Sequence, residues 1–268
     1  MMGVAVEFFQ VVFDCVAKFF SDGISVSNMD ALVRKLFLLL GIVSTSVFLA
    51  WTTYHSSTLW NKKVVDIPAF RWLAGLSFAL SLLFAVSFFS LRYLRETAIE
   101  RTMQWKGDII DNRDWGIKTF GKTYYKLRGQ GEEDFADFPP PEVGGRKIPL
   151  KHESSRRITA QTYVSEAIEH FKASHPYLSL ILKTALEVPE EKIYQDNASF
   201  FDKNPGQDYG LDNTVRIAAD ELKAGFDLRI PPLIKTTRMY LVIIFSLVMV
   251  AIYLAIGVIA YRDIKTFR

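Results

Sequence analysis

Residues 72–91 read WLAGLSFALSLLFAVSFFSL, an apolar run without a charged side chain. A helix needs about 20 predominantly apolar residues to cross the hydrocarbon core of a bilayer, so this run predicts a transmembrane helix. Arg92 and Glu96 follow at once, while the helical spacing of apolar residues continues towards Ile110. The sequence therefore predicts that a membrane helix passes directly into a polar domain.

Two further apolar runs complete the membrane-spanning part of the sequence. Residues 36–54 end near Trp51 and Tyr54, whose amphipathic rings favour the membrane interface. Only residues 55–71 separate this run from the one above, and so short a connection predicts an antiparallel transmembrane hairpin. Residues 239–261, MYLVIIFSLVMVAIYLAIGVIAY, carry no charged side chain and predict a third span.

Residues 4–20 are predicted to form an amphipathic helix ahead of the spans. Its polar side chains recur at spacings of three and four and therefore share one face: Glu7, Gln10, Asp14 and Lys18. The other positions are apolar or small, so we expect the helix to lie in the membrane interface, or to pack against a partner or the protein's own spans. Cys15 is the single cysteine, so an intramolecular disulfide is excluded. Its position on this apolar helix predicts a buried thiol.

Residues 92–238 are predicted to form a polar domain between the second and third spans. The spacing of apolar residues predicts helices over 155–173, 176–186 and 212–226. The pair Pro231-Pro232 is expected to break the chain before the third span, because proline disrupts a helix interior.

A segment rich in glycine and proline, residues 111–150, is predicted to be irregular. It contains three consecutive prolines, Pro139-Pro140-Pro141, which favour an extended polyproline conformation. It also carries more aromatic residues than a disordered linker does: Trp115, Phe120, Tyr124, Tyr125, Phe135 and Phe138. We therefore expect this segment to pack against a surface.

These elements predict a mainly α integral membrane protein with about three transmembrane helices. The expected order is an N-terminal amphipathic helix at 1–30 and a transmembrane hairpin at 31–91. An inserted helical and irregular soluble domain at 92–238 follows, and then a C-terminal transmembrane helix with a basic tail at 239–268.

The distribution of cationic residues predicts the orientation in the membrane. Cations near the membrane ends are more numerous on the side of the N-terminus and the polar domain than on the other side. The larger group is Lys18, Arg34, Lys35, Arg92, Arg95, Arg101, Lys106, Arg229, Lys235 and Arg238, and the smaller is Lys62, Lys63, Arg71, Arg262, Lys265 and Arg268. We therefore expect the soluble domain on the cytoplasmic or matrix side of a bacterial or mitochondrial inner membrane.

Small residues in the second span recur at a spacing of four, at which membrane helices can approach closely. The helix-packing candidates are Gly75, Ala79, Ser77, Ser81 and Ala85. None of the spans has a charged or histidine side chain in its core, whereas ion and proton pathways usually need such groups or broken helices. This argues against a self-contained transporter. A pore formed by several copies could still be lined by Ser44, Thr45, Ser46 or Ser77.

No specific catalytic, cofactor or metal motif occurs in the sequence. His170 and His175 lie five residues apart, whereas two metal ligands on one helix face lie three or four apart. The glycine-loop, nucleophile-elbow and zinc-helix patterns are missing. The formal net charge is only +3 and basic residues are spread along the chain, so nucleic-acid binding is not predicted.

These features favour a non-enzymatic structural or assembly subunit of a large multiprotein membrane complex, with other membrane-protein subunits and the lipid bilayer as partners. The architecture is similar to that of accessory subunits in general, and we consider secretion or conjugation machinery and an energy-transducing complex as settings. Two alternatives remain open. One is a homo-oligomeric channel or transporter component, and the other is a membrane-bound enzyme, for which only His170, His175 and the nearby carboxylates argue.

Overall fold

A computed structural model describes residues 2–22, 29–56, 68–129, 153–183 and 211–266, together with residues 195, 199 and 203. Every element in these ranges is helical, which confirms the predicted α class. The helices are α1 (Met2–Ser21), α2 (Met29–His55), α3 (Pro68–Ser90), α4 (Leu94–Asp111), α5 (Arg113–Gly129), α6 (Glu153–Ser174), α7 (Pro176–Leu182) and α8 (Leu211–Thr266). A 3₁₀ turn, Leu91–Tyr93, lies between α3 and α4.

Three helices are long and apolar enough to cross a membrane. The candidate spans are Leu32–His55, Pro68–Asp111 and Asp212–Arg262, and their most apolar stretches have mean hydropathies of 1.9, 2.0 and 2.9. A helix satisfies its own backbone hydrogen bonds, as the water-free core of a bilayer requires. The predicted number of membrane helices is confirmed, and the chain has the helices of a multi-pass membrane protein.

The chain divides into two compact units. The first unit comprises Met1–Val12 and Arg95–Pro231, and the second comprises Phe13–Leu94 and Pro232–Arg268. The division falls within α1, at the start of α4 and within α8. The second unit therefore contains α2, α3 and the apolar part of α8.

The core of the first unit is built from large apolar side chains of five helices. Its fully buried members include Trp105 and Ile109 from α4, Leu127 from α5, Tyr163, Ile168 and Phe171 from α6, Leu178 and Leu182 from α7, and Phe226 from α8. Trp105 meets Phe171 edge to face with 5.2 Å between ring centroids, and Phe171 lies 6.5 Å from Phe226. Aromatic pairs of this kind contribute about 0.5–1.5 kcal/mol beyond their buried area.

Apolar packing also joins the three membrane helices of the second unit. Phe84 of α3 stacks on Phe245 of α8 with 4.4 Å between ring centroids. A buried cluster lies further along the same helices and consists of Phe70, Met249, Ile252, Ile256 and Ala260. Leu49 and Tyr54 of α2 pack against this cluster, so all three helices share it.

The segment predicted to be irregular, residues 111–150, is helical in its first part, where α5 runs over Arg113–Gly129. The physical reason is visible in the core, because Phe120, Tyr124 and Leu127 recur at helical spacing and are all buried. Their burial outweighs the cost of about 1 kcal/mol for each glycine within the helix. The remainder of the segment, including the three prolines and Phe135 and Phe138, lies outside the described residues.

The expected break at Pro231-Pro232 is wrong, since α8 continues through both prolines from Leu211 to Thr266. Each proline removes a backbone hydrogen bond and crowds the carbonyl four residues before it. Both prolines are exposed, whereas the turn before them is anchored by the buried side chains of Phe226 and Ile230. Packing of that preceding turn helps to maintain a helix that local propensity opposes.

Candidate functional site

Helix α1 exposes an almost continuous apolar surface. Only one line of its side chains is buried, and each member lies four residues after the one before: Glu7, Val11, Cys15 and Phe19. The outward-facing large apolar side chains are Met2, Val6, Phe8, Phe9, Val12, Phe13 and Phe20. Phe9 is 69% exposed and Phe13 is 71% exposed. The predicted burial of the Cys15 thiol is confirmed, whereas Glu7, placed on the polar stripe, belongs to the buried line.

Glu7 connects the start of α1 to the junction between α6 and α7. Its Oε1 lies 3.0 Å from Nδ1 of His175, and its Oε2 accepts a hydrogen bond from the backbone N–H of Tyr177. The ring of Phe8 adds an edge-to-face contact with Tyr177, with 5.2 Å between centroids. The side chains of Glu7 and His175 are only 6% and 16% exposed. A buried carboxylate requires such polar partners, so Glu7 fixes the beginning of α1 to the first unit.

His170 is hydrogen-bonded to a buried tryptophan. The indole Nε1–H of Trp105 donates to Nδ1 of His170 over 3.0 Å. An imidazole that accepts at Nδ1 is neutral and carries its proton on Nε2. Burial lowers the pKa of His170 below its ordinary value of 6.5, and the neighbouring His175 lowers it further. His170 therefore acts as a neutral acceptor that orients Trp105 in the core.

The two histidines considered in the sequence analysis thus contact different partners. His175 is paired with Glu7, and His170 is paired with Trp105. Glu166, one turn before His170, forms an ion pair with Lys122 at 2.6 Å. Across the ranges that the structure describes, no group of three His, Cys, Asp or Glu side chains lies close enough to hold a metal ion. This arrangement links helices to one another and offers no converging set of metal ligands among those residues.

Among the small residues of α3, Ser77 joins all three membrane helices. Its Oγ accepts a hydrogen bond from the Thr53 hydroxyl of α2 at 3.1 Å and donates towards Sδ of Met249 in α8 at 3.7 Å. A second polar contact links α2 to α8, where the hydroxyls of Thr52 and Tyr253 lie 3.3 Å apart. Hydroxyl contacts of this kind help to hold membrane helices together.

The other small-residue candidates have different surroundings. Gly75 and Ala79 are exposed, and a Cβ atom at Gly75 would have no neighbour within 4 Å. Ser81 is buried, and its hydroxyl donates to the carbonyl of Phe78 in its own helix at 2.9 Å. Ala85 lines an open groove between the membrane helices.

This groove has a volume of about 480 Å³ and lies within the second unit. Its walls come from the middle of α2, the second half of α3 and the start of the apolar part of α8, and they include Phe37, Gly41, Ile42, Phe84, Phe88 and Phe245. The polar groups in the wall are the hydroxyls of Thr45, Ser46 and Ser81. Of the residues considered for a pore lining, Ser46 and Ser77 are buried, whereas Ser44 and Thr45 are exposed.

Sequence reasoning missed the contacts of Glu7 and of Trp105, because each joins residues far apart in the chain. Glu7 and His175 are 168 positions apart, and Trp105 and His170 are 65 apart. The local signal for Glu7 was its place on the narrow polar face of a largely apolar helix. Comparisons with protein-family models, curated proteins and solved structures find no match for this chain.

Proposed function

We propose that this chain is a non-enzymatic structural subunit of a multiprotein membrane complex. The observation that carries the proposal is the exposed apolar face of α1, on which Phe9 and Phe13 project from a helix held on its other side by Glu7. An apolar patch of this kind marks a surface that contacts a membrane or another protein. Glu7 fixes the position of α1 before any partner binds. The apolar face is therefore pre-organised for binding.

The proposal assigns a role to each part of the chain. Helix α1 is an interfacial amphipathic helix, its apolar face shared between the bilayer surface and a neighbouring subunit. The first unit is a soluble domain inserted between the second and third spans, on the cytoplasmic or matrix side. The excess of cationic residues at that end of the spans supports this orientation.

The polar contacts of the first unit support a structural role. His170 and His175, the side chains best suited to acid–base chemistry, are engaged with Trp105 and Glu7. The cores of the spans carry no charged side chain, which fits a role in membrane anchoring better than a role in transport. A large assembly in an inner membrane, either secretion or conjugation machinery or an energy-transducing complex, is the setting that we propose.

The test is purification of the tagged full-length chain from its native membrane in a mild detergent, with partners identified by mass spectrometry. We expect stoichiometric membrane-protein partners with the wild type and their loss from the double variant Phe9→Glu/Phe13→Glu. The control is Gln10→Glu, which adds a negative charge at an exposed position of the same helix and should retain the partners. A wild-type chain that migrates without partners would contradict the proposal.

A homo-oligomeric channel is a second candidate, favoured by the exposure of Ser44 and Thr45 on α2. These hydroxyls would face a pore only if several copies associate through the spans. Reconstitution of the purified chain into liposomes tests it, and it predicts an ionic conductance that Thr45→Val reduces. Liposomes without conductance, at a protein density that allows association, would exclude this candidate.

A further inference from the structure

We propose that the groove between the membrane helices of the second unit binds an acyl chain of an anionic phospholipid, whose phosphate is held by Arg238 and is further attracted by the buried cation of Lys35. This inference is independent of the proposed structural role. It rests on an apolar channel of acyl-chain character and on two cations that the structure places at one end of it.

The groove has the size and chemistry of a site for an apolar ligand. Its volume of about 480 Å³ lies within the range of about 300–1,000 Å³ that is typical of ligand pockets. Aromatic and aliphatic side chains form most of its wall. The space beside the wall residue Gly41 is open, because a Cβ atom there would have no neighbour within 4 Å. The wall residue Phe37 is 70% exposed, so the groove is accessible from outside the helices.

Arg238 lies directly on the wall of the groove. Its Nε donates to the carbonyl oxygen of Phe88 at 3.3 Å, and its guanidinium carbon lies 4.9 Å from the centroid of the Phe88 ring. Phe88 itself lines the groove. No carboxylate within the described ranges lies at ion-pair distance from Arg238. A guanidinium carries five N–H donors, so one contact with Phe88 leaves donors for a phosphate.

Lys35 of α2 is not itself a wall residue; its side chain is buried beside Phe19, near the same end of the groove. Its Nζ lies 4.2 Å from the centroid of the Phe19 ring and donates to the Phe19 carbonyl. Phe19 stacks on Phe89, a wall residue of the groove, with 6.4 Å between centroids. The carboxylate of Asp22 is already bound by Arg92 at 3.1 Å. Among the residues with described positions, Lys35 therefore has no carboxylate of its own within ion-pair distance.

An apolar groove with the cations of Arg238 and Lys35 near one end matches an amphiphile that has an anionic head and an apolar tail. The wall is formed by the middle of α2, the end of α3 and the start of the apolar part of α8. Lys35 lies one turn before the wall residue Leu38, and Arg238 lies one turn before the wall residue Val242, so both cations lie towards the same end of the groove. Basic pockets between membrane helices bind anionic lipid head groups. A neutral apolar ligand or a partner helix would fill the groove without using the two cations, which favours a phospholipid.

The first experiment is native mass spectrometry of the full-length chain with equal amounts of phosphatidylglycerol and phosphatidylcholine of matched acyl chains. We expect preferential retention of phosphatidylglycerol. Arg238→Gln should lower that retention about tenfold or more, since a hydrogen bond to a charged group is lost. Arg262→Gln, near the other end of α8, is the matched control and should leave retention unchanged.

A second pair of variants tests the groove itself. Gly41→Leu places a side chain in the groove and should abolish retention of phosphatidylglycerol, whereas Gly75→Leu, at an open position outside the groove, should not. Equal retention of the two lipids by the wild type, or equal behaviour of the two leucine variants, would overturn the proposal.

Photolabelling of the wild type keeps the proposal testable if a variant fails to fold. Phosphatidylglycerol with a diazirine in its acyl chain should label peptides that contain Gly41 and Ala85, and excess phosphatidylglycerol should suppress this labelling more than phosphatidylcholine does. Labelling confined to outward positions such as Leu83, or suppressed equally by both lipids, would show only general lipid contact and would overturn the site.

Discussion

The burial of His170, together with the neighbouring His175, lowers the pKa of His170 and makes the stability of the protein depend on pH. Because the pKa of His170 is lowered from 6.5 in the folded state, the unfolded chain binds the proton first as the pH falls. The stability that this residue contributes is therefore complete above about pH 6.5 and is lost as the pH falls from there through the folded-state pKa.

His170→Asn should reduce this pH dependence, since an amide oxygen can accept from the indole but does not titrate. We expect the loss of thermal stability between about pH 7.5 and about pH 5.5 to be smaller in this variant than in the wild type. The control is His55→Asn at an exposed position, which should behave as the wild type does. Identical pH profiles for all three proteins would show that the protonation of His170 does not contribute to the pH dependence of stability.

The buried carboxylate of Glu7 is a second residue with a measurable effect. Glu7→Ala leaves His175 and the backbone N–H of Tyr177 without their acceptor, which should destabilise the first unit by about 2–3 kcal/mol. Gln10→Ala, an exposed substitution on the same helix, should change stability by about 0.5 kcal/mol or less. Hydrogen exchange of peptides containing Tyr177 measures the effect, and unchanged exchange in Glu7→Ala would contradict the anchoring role.

At the scale of elements, the sequence predicts the membrane helices well because hydropathy is a local property. Residues 72–91 needed no partner to be recognised, and they lie within the candidate span Pro68–Asp111. The sequence did not predict helix α5, because the glycine and proline residues of 111–150 argue against a helix along the whole segment. Phe120, Tyr124 and Leu127 within that stretch have helical spacing. Their burial in the structure shows that this apolar pattern outweighs the glycine content.

The two prolines in α8 should weaken the backbone hydrogen bonding of the helix around them. Without an N–H at Pro231 and Pro232, the carbonyls of Asp227 and Leu228 lack their backbone donors, and an interior proline costs a helix about 3 kcal/mol. Pro231→Ala/Pro232→Ala should therefore slow amide exchange in the surrounding turns about tenfold or more. Lys235→Ala, an exposed substitution one turn later, should leave exchange unchanged. Equal exchange in the double variant would mean that these turns are already held by their side-chain packing.

At the scale of the whole molecule, the sequence predicted the number of spans but not the contacts that make the candidate sites. Glu7, Trp105 and Arg238 each meet residues far along the chain, and no local pattern specifies such pairs. The groove is a further example, because its walls come from three separate helices and depend on their register. Hydrophobic pattern decides which segments enter the membrane, whereas packing decides where cavities and buried polar pairs form.

Three spans also predict the topology of the chain, because an odd number of crossings places the two ends of the membrane part on opposite sides. Glu169 of the first unit and Arg262 beyond the third span, both exposed, should therefore differ in accessibility. In a Cys15→Ser background, we expect a membrane-impermeant maleimide to label Arg262→Cys in right-side-out vesicles and Glu169→Cys in inside-out vesicles. Labelling of both positions from the same side would contradict the three crossings. The reverse pattern would leave the crossings intact and refute the cytoplasmic or matrix placement, since the excess of cations near one membrane face is the argument for that placement.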